Sequence, residues 1–342
     1  MIEGRTVRGR AVEPGAHAVS ERGAGRRRGR YSGRRLGRSG PPGTGKGVTR
    51  VVVFGLCLLG ANAAQAQQTI RDVVPLAFDR PESWAMKYFT ALSLPTSMGP
   101  PERLGAGTVE VGLEGAFVPQ LSDDERRVGF NGTKLEDVNR TRLLGRFRAT
   151  VGLTATTSLE IAYVPPVTVS GAKPHILGVA IGRPFALSPD WQLGLRLFGQ
   201  LGTMKGDITC GANEAAAGPD LVRNPYLCEA ASTDELKQKL VGVEVSAGYG
   251  RGRWRPYIGV SVSYLDLQFQ VNALYAGLID HTLQTTNGET VSLTGGLGVT
   301  PAAHWRLAGE LFYSPLSVVR PPKVSSQNDG LLNGRVLVSY RF

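Results

Sequence analysis

From residue 107 onward the chain alternates apolar and polar positions with period two. In GRFRATVGL, Phe147, Ala149, Val151 and Leu153 alternate with Arg146, Arg148, Thr150 and Gly152. In WQLGLRLFGQLG, Trp191, Leu193, Leu195, Leu197 and Leu201 alternate with Gln192, Gly194, Arg196, Phe198, Gln200 and Gly202. In VGVEVSAGY, Val241, Val243, Val245, Ala247 and Tyr249 alternate with Gly242, Glu244, Ser246 and Gly248. Such alternation marks strands with one apolar and one polar face. The runs reach 9–13 residues, longer than the ~5–6 usual in globular sheets and matched to the ~9–11 that cross a membrane.

The connections fall into two kinds. Those at 154–157, 187–190, 250–254 and 300–304 are short, and those at 120–141, 168–173, 204–238, 270–288 and 316–330 are longer. Short turns at one end and long loops at the other are the pattern of a transmembrane barrel. The expected fold is an all-β, antiparallel up-and-down barrel of ten strands, at about 107–119, 142–153, 156–167, 174–186, 190–203, 239–250, 254–269, 289–300, 303–315 and 331–342. Twelve strands result if 84–95 and part of 67–80 join the sheet. Residues 67–106 are otherwise irregular, a periplasmic or lumen segment in which 81–92 fits a short helix or a strand. Aromatic residues sort by strand end. Trp191, Trp254 and Trp305 open strands at the short-turn end, and Tyr163, Tyr264 and Tyr313 lie near the opposite ends. From Trp305 to Tyr313 is ~20 Å along the membrane normal at ~40° tilt, so these residues fit two interfacial belts.

The chain ends Val336-x-Val338-x-Tyr340-x-Phe342. This resembles the terminal strand of Gram-negative outer-membrane proteins, where a final Phe after alternating apolar residues is read by the barrel-assembly machinery. The resemblance implies residence in the outer membrane and contact with its lipid and lipopolysaccharide. It is to the class and singles out no member.

Charge changes the picture only at the front. Residues 1–50 hold 12 Arg, 1 Lys and 3 Glu, a net +10 of the chain's +11. Within them GPPGTGKG, 40–47, resembles a nucleotide-binding P-loop, but Gly47 stands where the Mg²⁺-binding Ser or Thr belongs and no apolar strand precedes it. The apolar run from Val51 to about Leu59, preceded by Arg50 and followed by Ala64-Gln65-Ala66, is laid out as a secretory signal peptide with a cleavage site after Ala66. Cys57 reads as one more apolar residue of that run. The expected organisation is a basic leader at 1–47, a signal peptide at 48–66, the segment 67–106 and the barrel at 107–342. Neither nucleotide nor nucleic acid is an expected partner. In an exported chain Cys210 and Cys228 are expected to form a disulfide.

Candidate chemistry is sparse. His175, His281 and His304 show no metal-ligand spacing, so no cofactor or metal is expected. Asp280 and His281 are adjacent, as are Asp123 and Asp124, and neighbours on an extended chain point apart. Omptin proteases instead use an Asp pair with an Asp-x-His unit, so an enzyme is not expected. The lumen face is expected to carry Arg142, Arg146, Arg148, Glu160, Arg196, Glu244, Arg306, Glu310, Arg335 and Arg341. Seven Arg against three Glu suggest a passive channel or small-solute transporter favouring anions. The alternative is a filled, non-conducting barrel used for structure or surface binding, with a hydrolase as the remotest reading.

Overall fold

The computed structural model describes residues 68–138, 141–250 and 252–342. The leader at 1–47, the signal peptide at 48–66 and Gln67 lie outside the described residues.

Ten antiparallel strands form a closed barrel: β1 Val109–Phe117, β2 Leu143–Gly152, β3 Ser158–Val164, β4 Lys173–Ala186, β5 Trp191–Gly206, β6 Asp234–Tyr249, β7 Trp254–Gln270, β8 Leu283–Val299, β9 Trp305–Ser314 and β10 Leu331–Arg341. Each pairs with its neighbours in sequence. β10 closes the ring on β1, with Arg335 opposite Ala116 and Arg341 opposite Glu110. Closure matters because an unpaired edge in lipid costs several kcal/mol for each unsatisfied backbone group.

The alternation read from the sequence sets which face is which. Leu201, Phe147 and Leu311 are exposed on the outer surface, whereas Arg146, Arg196, Glu244 and Arg335 are buried inside. A charge turned to lipid at mid-bilayer would cost ~2–4 kcal/mol, so this register is strongly favoured. β6, β7 and β8 run to 16, 17 and 17 residues, longer at the loop end than their alternation indicated. At ~40° tilt that is ~40 Å along the normal, more than the ~30 Å hydrocarbon core. Their loop ends therefore stand clear of lipid. Lys239 and Asp266 sit opposite one another on the outer face, towards the loop end. β3 differs the other way. It stops at Val164 instead of 167, because Pro165 and Pro166 have no N–H to donate to a ladder.

The segment before β1 enters at the long-loop end. Residues Gln68–Ile70 pair with Leu278–Asp280, and Val73–Pro75 adds a short parallel strand to the loop end of β8. Helix α1, Pro81–Leu92, follows, with Pro81 in its first turn and Glu82 near its positive end. The stretch 84–92 is thus helical, and the barrel has ten strands with one short addition, not twelve. Trp84 donates to Asp329 O (2.8 Å), Lys87 to Ser317 O (2.8 Å) and Tyr88 to Pro119 O (3.1 Å). These bonds hold α1 inside the loop end of the barrel. Its apolar side chains pack on Phe198, Leu236, Leu265, Leu267 and Phe312 from the wall, forming the main core. From Ser93 the chain descends through the lumen to the short-turn end, where β1 begins.

Candidate functional site: a filled lumen beneath two apolar chambers

The descending segment is held by arginines from the wall. Arg335 on β10 donates to Leu94 O (2.8 Å) and Ala91 O (3.1 Å). On β2, Arg146 donates to Ser93 O and Arg148 to Thr96 O (2.8 Å). Arg196 on β5 donates to Pro95 O (3.0 Å). Five consecutive-turn and extended carbonyls that no strand could satisfy thus find charged donors, the stronger class of hydrogen bond.

Three of these arginines, Arg146, Arg148 and Arg196, are also paired with carboxylates. Glu114 accepts from Arg148 (2.6 Å) and lies 3.6 Å from Arg146. Glu160 bridges Arg148 (3.1 Å) and Arg196 (2.7 Å), and Glu244 meets Arg196 at 3.0 Å. Glu310 accepts from Thr96 (2.7 Å) and Tyr257 (3.1 Å). At the short-turn end, Glu102 of the descending segment meets Arg255 (3.0 Å), Arg306 (2.5 Å) and Arg341 (2.9 Å). Glu110 meets Arg306 (3.0 Å) and Arg341 (2.9 Å). Buried charges persist only when paired or hydrogen-bonded: the network pairs most of them, while Arg335 is held by carbonyls and Glu310 by hydroxyls. Close packing completes the filling. A Cβ on Gly248 or Gly298 would come within 2.8 Å of Pro100, so only glycine lets Pro100 pass between β6 and β8.

Nine of the ten expected lumen charges lie on this inner face. Arg142 does not: it is exposed in the loop before β2. The expected excess of arginine also shrinks, from four to one. Counting Arg255 with the six wall arginines above, seven Arg face six Glu, namely Glu102, Glu110, Glu114, Glu160, Glu244 and Glu310. The alternation of VEVGLEGAF already put Glu110 and Glu114 on the inner face. Glu102 lies in the segment without period, so no pattern reports it.

Above this network lie two apolar cavities. One, about 230 Å³, lies between α1 and the outer loops, with Met86, Phe89, Leu236, Phe269 and Val271 in its lining. Its polar lining is Glu82, Glu136, Thr209, Asp280, Thr282 and Gln284, and Glu136 is the one with unusual surroundings. Lys134 donates to Glu136 at 2.7 Å and lies 3.6 Å from Glu214. Burial nevertheless pushes the Glu136 carboxyl up to about 8, outweighing Lys134, with Glu214 and Asp234 adding to the rise. The second cavity, about 280 Å³, lies beside β2 and reaches α1 at Phe89 and Leu92. Phe89, Val138, Met204 and Ile208 line both.

The other singled-out residues are dispersed. Cys210 and Cys228 form a disulfide, Cα atoms 5.7 Å apart, in the outer loop after β5. Asp123 and Asp124 open a short surface helix capped by Ser122. Asp280 accepts from Tyr275 (2.8 Å), while His281 contacts Asn272 (2.9 Å). His175 packs edge-on to Tyr163, and His304 stacks on Tyr340 beside Arg341 O. Trp191, Trp254 and Trp305 are exposed at the short-turn end, and Tyr264 is exposed towards the other. Tyr163 and Tyr313 are half-buried. Val336 and Val338 face outward. Tyr340 packs against Trp305 and Phe342 with ring centroids 5.2 and 4.9 Å apart, and Phe342 N–H donates to Val109 O (2.8 Å) across the closing seam.

The closed ten-strand ring, apolar on its outer face and charged within, decides the class. This is an outer-membrane-type β-barrel. Solved structures with a similar course are of that type. The translocator domain of the autotransporter NalP from Neisseria meningitidis is 10% identical, with a TM-score of 0.39 over 71% of this chain and 91% of that one. An outer-membrane channel from Pseudomonas putida F1 is 10% identical, with a TM-score of 0.37 over 72% and 100%. The outer-membrane protease OmpT from Escherichia coli is 9% identical, with a TM-score of 0.35 over 69% and 92%. No family model and no curated protein matches the sequence.

Proposed function

We propose that this protein is a non-conducting barrel of the Gram-negative outer membrane that binds a small, largely apolar molecule at its long-loop end. The observation carrying this reading is the set of arginines from β2, β5 and β10 that fix the carbonyls of residues 91–96 across the lumen. A passive anion path needs a wet lumen with spare positive charge. Here six of the seven arginines are ion-paired with carboxylates, Arg335 is taken up by main-chain carbonyls, and the axis is taken by main chain. What remains open is apolar space above the filling, with Glu136 at its edge. A mostly apolar cavity with few polar groups, one of them perturbed, is the usual form of a small-molecule site.

The test is binding of a single-chain alkyl amphiphile by folded protein, with and without Met86→Trp, which fills the inner cavity. The reading expects saturable binding weakened at least tenfold by the substitution. Equal binding by both proteins would contradict it.

A further inference from the structure

The wall is incomplete beside the second cavity. On one edge, β2 is paired with β1 from Leu143 to Val151. On its other edge it pairs with β3 only from Phe147, opposite Tyr163, to Gly152, opposite Ser158. Continuing that register would set Gly145 against Pro165 and Leu144 against Pro166. Neither proline has an N–H to offer, and the chain turns away, with Val167 N–H on Pro165 O at 2.8 Å. Among the described residues, the two sides meet again where Thr141 Oγ1 donates to Val169 O at 3.1 Å. Between Phe147 and Thr141 there is a gap in the ladder over residues 142–146, six steps or ~20 Å at ~3.3 Å per residue.

The cavity passes through that gap. Leu113, Leu143 and Phe147, which line it, are 54%, 62% and 56% exposed on the outer surface. Leu92 of α1, which also lines it, is 4% exposed and lies inside the barrel. One cavity thus joins the outer apolar surface to the interior. Phe89, Val138, Met204 and Ile208 separate it from the inner cavity over α1. An open ladder facing lipid is costly, and two prolines in succession reduce the number of donors left stranded.

Resting on the binding function proposed above, we infer that the β2–β3 seam at Pro165-Pro166 is a lateral portal for a single-chain alkyl amphiphile, entering from the membrane into the chamber over α1. The size of the cavities selects a single chain. At about 280 and 230 Å³ they sit at the foot of the ~300–1,000 Å³ range of ligand pockets, too small for a two-chain lipid. The apolar lining, continuous with the lipid-facing belt, selects the membrane as the source.

The experiment uses phosphatidylcholine vesicles holding folded protein and a single-chain amphiphile bearing an environment-sensitive fluorophore. A seam lock is made with Gly145→Cys and Pro165→Cys, facing one another in the extended register. A second variant, Pro165→Val with Pro166→Thr, restores two donors so that the ladder can close. The portal predicts that the oxidised lock slows binding at least tenfold, that reduction restores the rate, and that the double replacement slows it in the same direction. Equilibrium binding with the same rate in locked, reduced and replaced proteins would overturn the portal and leave the binding function standing. Absence of binding in every form would overturn both. Entry of the same fluorophore carried on a two-chain phospholipid would overturn the single-chain assignment.

Discussion

Arg335, the fifth residue of the closing sequence LLNGRVLVSYRF, donates to Leu94 O at 2.8 Å while its guanidinium lies 3.9 Å from the centre of the Phe312 ring. One side chain thus ties the last strand, β9 and the descending segment together. Replacing it with Met would keep much of its bulk and strand the Leu94 carbonyl, while Ala91 O keeps the Leu94 N–H. An unsatisfied buried group costs ~1–3 kcal/mol. The expected outcome is a protein that still closes its barrel, with a lower urea midpoint and faster proteolysis of residues 93–106. Unchanged proteolysis would remove Arg335 from the anchoring role.

The disulfide closes a loop outside the membrane. In the chain-entropy model, closing ~19 residues is worth roughly 3 kcal/mol to that loop. Cys210→Ser with Cys228→Ser is expected to raise hydrogen exchange across 207–233 and leave the exchange of β4 and β5 unaltered. Loss of heat-modifiable folded protein would show instead that the bridge supports the barrel.

Glu136 makes the outer end sensitive to pH. Its carboxyl is held at about 8 in the folded state against 4.5 as the ordinary value. The folded form therefore binds more protons than the unfolded one between those values, and stability falls as pH rises through that window. The contribution is fully present below ~4.5 and lost above ~8. Lys134, Glu214 and Asp234 face the same carboxyl and set the extent of the effect. Local opening of residues 127–138, followed by hydrogen exchange, is expected to become easier from pH 5 to pH 8 in the native protein. Glu136→Gln is expected to abolish most of that slope. A slope that persists in Glu136→Gln would assign it to another group.

Phe342 lies at the closing seam, its N–H on Val109 O and its ring against Tyr340. Its deletion is expected to lower the yield of folded, heat-modifiable barrel far more than deletion of Val324, an exposed loop residue. Equal yields would separate assembly from this terminal contact.

The barrel was legible because one physical rule, outward apolar and inward polar, repeats along every strand. Strand positions, closure by the final strand and nine of the ten inner charges follow from that period alone. The filling was not legible. Its anchors are main-chain carbonyls of Ala91, Ser93, Leu94, Pro95 and Thr96, which every residue possesses and no pattern displays. The descending segment also has no period, so Glu102 could not be assigned a face. Pro165 and Pro166 stood in plain view within an apolar run, and alternation carried the expected strand straight through them. Their missing donors, and not their hydropathy, are what end β3.

The central claim is that the protein's own residues 93–106 fill the lumen. Conductance of purified, folded protein in planar bilayers tests it most directly. Insertion is expected without a steady ohmic current, with current appearing when Arg146, Arg148 and Arg335 are together replaced so that the segment loses its anchors. A steady, anion-selective current from every inserted molecule of the native protein would contradict it.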